Sequence, residues 1–478
     1  MRKFAIFISI VIFCIFIAVS CKQKRETIKV QKYHKGFRYD KNGWIYIHIE
    51  GEPYERGFQY GYLIADEYKK AYQCYSDMTY QTMGIKMDLI VSQAVKMQKM
   101  KIPEELLEEM KGIAAGISAR GHLTTLDEVI GWNSYIDLAE GWWGGVKSDF
   151  SSYIPVKSGN KKEKCSGFIA TGSATKDNSI VMSHSSFDDF WNSEWCYVIL
   201  DIKPKNGHKM LMQTQPAYVA SMTDFFIMDS GLVALETSLA GFNSFNDKGL
   251  PSYVCQRMAM QYADNIEDFV KILGRNNDGG NPAVWLIGDT KTNEIAKFEL
   301  GIKFQNLQKK KDGYFWAANC ADDPQIRNLE CDGEGYNDIR RHTGARRVRL
   351  HQLLDKYNGK IDVEIAKKIM SDHYDIYHKK TQPQANTVCA HYDEDPRYSM
   401  SSQSATHPDP YTPAGATDCK ITTTQMAKNM KILARYGRPC GRPFETNKFF
   451  EEHPQWDWQK GYLFDRPSQP WCEFASYR

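Results

Sequence analysis

Apolar and polar residues alternate along Gly43–Glu50 (GWIYIHIE), the two-residue period of a half-buried strand. Residues 51–57 interrupt it as a turn, and from Phe58 to about Gly121 the period lengthens to that of helices. Leu63, Ala65, Tyr68 and Tyr72 mark the first, and Ile85–Met100 and Glu104–Ala119 predict two more. The hydrophilic run Lys157–Lys164 is the clearest break in the chain, and it stops abruptly at Cys165. Beyond it the short period returns. Cys165–Thr171 and Ser179–Phe187 pair as a hairpin about the polar turn 172–178, and Tyr197–Ile202, Lys209–Thr214 and Phe225–Leu235 continue as strands. Glu267–Leu273 is helical, Trp285–Gly288 and Glu294–Leu300 form a second hairpin, and helices recur at about 343–356, 362–372 and 424–436. There is no internal repeat. Helices, then many consecutive strands, then helices predict an α+β layered fold rather than a parallel α/β sheet.

The first residues concern destination rather than fold. Met1-Arg2-Lys3 is basic, Phe4–Val19 is almost wholly apolar, and Ser20-Cys21 precedes the polar run Lys22–Arg25. That order predicts a signal peptide over residues 1–20; the apolar stretch falls short of the ~20 residues of a spanning helix. Ala18-Val19-Ser20-Cys21 also resembles the lipobox of bacterial lipoproteins, which implies lipidation of Cys21 and a tether over 21–42. The expected location is the cell envelope, anchored by lipid and facing the periplasm or exterior.

Composition narrows the partners. The formal charge is +3, and two of the cations, Arg2 and Lys3, lie in the leader, so nothing in the charge argues for nucleic acid. A 42% hydrophobic share is enough for a sizeable core, and 13% aromatic residues suit tryptophan- and tyrosine-lined clefts such as one near Trp142-Trp143, a pair that could equally just pack. Of twelve cysteines, Cys14 lies in the leader and Cys21 is the lipidation candidate; the rest show no CxxC pairing. Cys320 and Cys331 flank a polar loop and could bridge in an oxidising compartment. The run His391-Tyr-Asp393-Glu-Asp395 carries liganding side chains, but its carboxylates alternate and no second histidine stands at a useful spacing. No metal or cofactor is expected.

Cys165 carries the chemistry. A thiol that attacks carbonyls needs exposure, a base and oxyanion donors. A cysteine made N-terminal by cleavage supplies the base itself, because its free α-amine, titrating near about 8, sits beside the sulfur. A polar linker ending at a cysteine that opens a strand, followed by Ser166 and Gly167, has that form. With the turn centred near residue 175, Cys165 faces residues around 185, which sets His184, Ser185 and Ser186 beside it. His184 could orient substrate, move a proton or donate to an oxyanion; it could also be a satisfied structural histidine.

Cys165-Ser-Gly-Phe-Ile-Ala-Thr-Gly through Ile180-Val-Met-Ser-His184 resembles the phospholipase B-like proteins and the cysteine acyltransferases of the isopenicillin N acyltransferase type, which are N-terminal-nucleophile hydrolases. Gly51-x-Pro-Tyr-Glu-Arg-Gly57-x-x-x-Gly61, Leu235-Glu236-Thr237-Ser238, Trp285–Asp289, Asn386–Asp393 and Gly415-x-x-Asp418-x-Lys420-Ile-Thr422 follow in the family's order. The resemblance spans about residues 43–450. It implies a four-layer αββα sandwich and self-cleavage between Lys164 and Cys165. It further implies that Cys165 is the nucleophile, that His184 and Thr237 lie near it, that Asn281 holds the oxyanion (with Asn276-Asn277 in reserve), and that Arg346 stands by the site, although the crowd of arginines around Arg346 also reads as a solvated helix face. Self-cleavage would then give chains of about 22–164 and 165–478, with residues 43–164 and 165–478 forming one catalytic domain. The expected activity is a cysteine amidohydrolase or acyltransferase acting on small acylated substrates: N-acyl amides, lipid-like compounds or short peptides. The alternative is an exported binding or scaffold protein of the same fold; a papain-like enzyme lacks its Cys-Trp helix motif here.

Overall fold

A computed structural model describes residues 29–144, 165–332, 335–396 and 410–478. The leader, Cys21, Lys164 and the loop Lys157–Lys164 lie outside the described residues. No helix among the described residues is long and apolar enough to cross a membrane.

The chain opens with β1 (Val30–Tyr33), β2 (Gly36–Lys41) and β3 (Trp44–Gly51), so the described part of the expected tether is a hairpin paired to β3. This corrects the tether: Phe37 and Tyr39 pack against the core, which a free linker would not do. Four helices follow, α1 (Pro53–Met83), α2 (Met87–Met97), α3 (Glu104–Ala119) and α4 (Leu126–Asn133). Helix α1 begins inside the segment expected as a turn. Pro53 suits a first helical turn, and the Glu55 carboxylate accepts the Glu52 N–H at 3.3 Å.

After the break come β4 (Cys165–Thr171), β5 (Val181–Asp189), β6 (Val198–Pro204), β7 (Met210–Thr214), β8 (Phe225–Met228) and β9 (Leu232–Ser238). Helices α5 (Ser252–Tyr262) and α6 (Ile266–Leu273) precede β10 (Ala283–Asp289), β11 (Glu294–Leu300), β12 (Gln305–Lys310) and β13 (Gly313–Ala317). Then follow α7 (His342–Lys356), α8 (Val363–Met370), the small ribbon β14 (Tyr374–Asp375) and β15 (Lys380–Thr381), β16 (Ala414–Ala416), β17 (Asp418–Thr423), β18 (Lys431–Tyr436) and β19 (Cys472–Ala475). The helix expected at 424–436 is thereby corrected. It is helical only over Thr424–Lys428, and Lys431–Tyr436 is a strand whose Ile432, Ala434 and Tyr436 are buried while the residues between them are half-buried.

Two sheets stack face to face. The larger runs β1-β2-β3-β6-β7-β8-β9-β10-β11-β12, and the smaller runs β13-β4-β5-β17-β18-β19, with β16 on β5. Ile45, Ile47 and Ile49 of β3 point to the helices α1–α6, whereas Trp44 and Tyr46 point into the space between the sheets. In the smaller sheet Ile169 and Met182 face inward, and Phe168 and Val181 face α7 and α8. The alternation of each strand thus assigns one face to a helix layer and the other to the opposite sheet. The result is the expected α+β, four-layer αββα sandwich.

The Gly57-x-x-x-Gly61 segment serves packing. A Cβ on Gly57 would stand 2.0 Å from the Glu109 carbonyl oxygen, and one on Gly61 2.1 Å from that of Ile113. Gly112 and Gly116 of α3 are as tightly placed against α1: a Cβ on each would stand 2.2 and 2.3 Å from the carbonyl oxygens of Tyr54 and Phe58. Arg56 reaches from this contact to Glu109 (2.6 Å), which also binds Arg257 of α5 (2.7 Å). All three charges are buried.

Candidate active site

Cys165 is the first residue of β4 and is 8% exposed, at one end of the sandwich where a cavity of about 50 Å³ opens. Ser186, Asp224, Glu236 and Asn281 line the same cavity, with Met222 on its apolar side. Across the hairpin Cys165 faces Ser186, one residue beyond the expected 185, and Gly167 faces His184. Odd residues of β4 and even residues of β5 therefore share the inward face.

Two side chains fix the backbone at Cys165. Its N–H donates to Asn319 Oδ1 at 3.2 Å, and its carbonyl accepts from Arg346 Nη1. Arg346 also reaches Ser166 Oγ (3.2 Å) and Asn319 Oδ1 (2.9 Å). Asn319 is oriented in turn: its N–H donates to Thr237 Oγ1 at 3.2 Å and its Nδ2 to the Ser238 carbonyl at 2.8 Å. Arg346 is fully buried on α7 and is no part of a solvated face. Thr237 touches the site through Asn319. Asn319 itself, in the left-handed region at φ 63° just after β13, was not found by sequence reasoning. The only signal was an asparagine, a residue that tolerates this conformation, directly following a strand.

A buried cation stands behind Cys165. Lys420 Nζ donates to Ser186 Oγ (2.8 Å) and to Asp418 Oδ1 (2.7 Å). Asp418 also accepts from the Ser186 N–H (3.1 Å) and from Gln213 Nε2 (2.8 Å). The Asp418-x-Lys420 spacing puts both side chains on one face of β17, and the pairing is what lets the charges be buried. Facing them, burial and then Glu236 push the Asp224 carboxyl well above the usual carboxylate range. Asn281 Nδ2 donates to Glu236 Oε1 at 3.1 Å.

These charges set the protonation of the sulfur. Burial pushes the Cys165 thiol far up, the Glu236 carboxylate pushes it further, and Lys420 pulls it back. With the peptide bond before it intact, Cys165 is a thiol that needs a base. His184 is poorly suited to be that base. Burial and Lys420 hold it well below its ordinary value, neither ring nitrogen meets a protein partner, and it packs along Phe225 rather than lining the cavity. The expected set is thus brought together around Cys165 through Thr237, Asn281 and Arg346, while His184 lies two residues further along the same hairpin, opposite Gly167. Trp142 and Trp143 pack on the helical core. Cys320 is a buried thiol rather than half of a bridge to Cys331.

The phospholipase B family profile matches residues 40–321, a span that includes Cys165, Thr237, Asn281 and Asn319. The chain is 25% identical over 264 residues to an uncharacterized protein of Archaeoglobus fulgidus, covering 53% of this chain and 42% of that one. It is 25% identical over 317 residues to a phospholipase B of Crotalus adamanteus, covering 60% of this chain and 54% of that one. It spans about half the length of these curated relatives. The structure of penicillin V acylase from Agrobacterium tumefaciens aligns with 57% of this chain and 83% of its own at 10% identity, with a TM-score of 0.33. Because the profile runs through more than half of the chain, the protein belongs to the phospholipase B family.

Proposed function

We propose that this chain is a self-processing cysteine hydrolase or acyltransferase of the N-terminal-nucleophile type, which breaks its own Lys164–Cys165 bond and then attacks small amides or esters. The observation that carries the reading is the pairing of the Cys165 backbone nitrogen with Asn319 Oδ1 at a residue that itself lines a cavity. Cleavage there turns a peptide N–H into an α-amine already oriented beside the thiol, which His184 is poorly placed to serve as base.

In the first step Cys165 Sγ attacks the Lys164 carbonyl and its thiol proton passes to the departing amide nitrogen, so that the C–N bond breaks to leave a thioester and a free α-amine; water then hydrolyses the thioester to a Lys164 carboxylate and the free thiol. In turnover the α-amine takes the thiol proton as sulfur attacks the acyl carbon. Asn281 Nδ2 donates to the oxyanion, and the ammonium returns the proton to the departing amine or alcohol. Water, or an acceptor amine, then attacks the thioester with the α-amine again as base. Arg346 and Asn319 position the backbone of the nucleophile, and Thr237 positions Asn319. His184 stays neutral beneath the site. Hydrolysis of acyl bonds fits the phospholipase B relatives by name, and lipid-like acyl compounds are the first substrates to try. Export and lipidation at Cys21 belong to the same reading, on the strength of residues 1–25.

A trapped intermediate tests it. Acid quenching during turnover of an N-acyl amide or short-chain phospholipid should leave the acyl mass on the peptide that begins at Cys165, labile to hydroxylamine. Turnover with no acyl group on that peptide contradicts the thioester.

A further inference from the structure

The run around His391 that lacked a second histidine in sequence acquires one in space. His373 follows α8, Cys389 and His391 lie on the loop that runs back past β16, and Cys440 sits in the turn after β18; one liganding atom from each of these four residues comes within 4.8 Å of the others. His391 Nε2 stands 3.1 Å from His373 Nε2, 3.4 Å from Cys389 Sγ and 3.6 Å from Cys440 Sγ. A tetrahedral zinc with bonds of about 2.0–2.1 Å to nitrogen and about 2.3 Å to sulfur sets its ligands roughly 3.3 Å (N···N) and 3.6 Å (N···S) apart. The observed spacings match that cage.

The tautomer agrees with the distances. His391 Nδ1 lies 2.9 Å from Glu394 Oε1, and a carboxylate only accepts, so Nδ1 carries the proton and Nε2 presents its lone pair to the cluster. Glu394 is itself held by Arg438 (3.3 Å) and by Arg442 (3.2 Å). Cys389 and His391 are fully buried, whereas His373 and Cys440 are half-buried and leave a path from solvent. We propose that His373, Cys389, His391 and Cys440 form a structural zinc site. Binding displaces the two thiol protons to solvent, and the two thiolates balance the ion's charge. All four positions are filled by protein, which suits a closed structural site rather than a catalytic one, and two thiolates with two imidazoles favour zinc over harder cations.

The position gives the site a task. Phe187, next to the Ser186 that faces Cys165, packs with Cys389, Ala390 and Cys440 on the outer side of β5. The metal would tie three distant segments together behind β5, the strand paired with that of Cys165. The proposal does not depend on Cys165 chemistry.

The test uses the full chain, purified without chelator. Elemental analysis should find one zinc per chain. After chelation and reduction, cobalt(II) should restore stoichiometric binding with the visible bands of tetrahedral cobalt–thiolate, and Cys389 and Cys440 should become protected from alkylation. Cys440→Ser and His373→Ala should each abolish those bands, whereas Cys255→Ser, far from the cluster, should retain them. Should either ligand variant fail to fold, the wild-type titration alone decides. A Cys389–Cys440 disulfide in the isolated protein that on reduction binds neither zinc nor cobalt, or a reduced chain that binds neither, overturns the proposal.

Discussion

Cys165→Ala protein will remain one uncut polypeptide and will turn over no acyl substrate, while Cys165→Ser will mature slowly or not at all. In the proposed mechanism sulfur is used twice, once against the Lys164 carbonyl and once against the substrate, so its removal ends both reactions. Loss of a covalent nucleophile costs on the order of 10⁶ in kcat. Misfolding would not account for the loss, because the side chain borders a cavity. Thermal melting and gel analysis of the same preparation separate the two causes. An alanine variant that is processed and active like the wild type removes the mechanism.

Glu109→Gln will destabilise the fold by about 3–5 kcal/mol at neutral pH, the cost of leaving buried charges uncompensated. Glu109 is shared by Arg56 and Arg257, which join α1, α3 and α5 above the larger sheet. Burial alone would raise its carboxyl, but the two arginines outweigh it and hold the group below its ordinary value of 4.5. A carboxyl depressed in the folded state lends stability above its unfolded value and loses it as pH falls toward the folded one. The gap between wild type and variant, read from urea unfolding, should therefore be widest near neutrality and close below about pH 4. A gap that widens on acidification contradicts the assignment.

Much of the sandwich was legible because its strands alternate and its hairpins are local. The turn near residue 175 set Cys165 opposite Ser186 to within one residue, and Arg346 was reached through the family resemblance. Other features were hidden for physical reasons. Asn319 reaches Cys165 across 154 residues through tertiary packing, and no spacing rule spans that distance. Asp224 meets Glu236 because two strands end at the same cavity. His373 meets His391 only when the loop between them folds back. Over 424–436 a short helix runs straight into a strand, and the apolar positions of the two together mimic one helical stripe. At 30–41 the strands carry too few apolar residues to show a period, since β1 lies at the sheet's edge.

Sequencing the mature chain from its amino end tests the central claim most directly. The account predicts two associated polypeptides, the larger beginning Cys165-Ser166-Gly167. A single uncut chain in active protein, or a larger fragment whose first residue is any other, would contradict it.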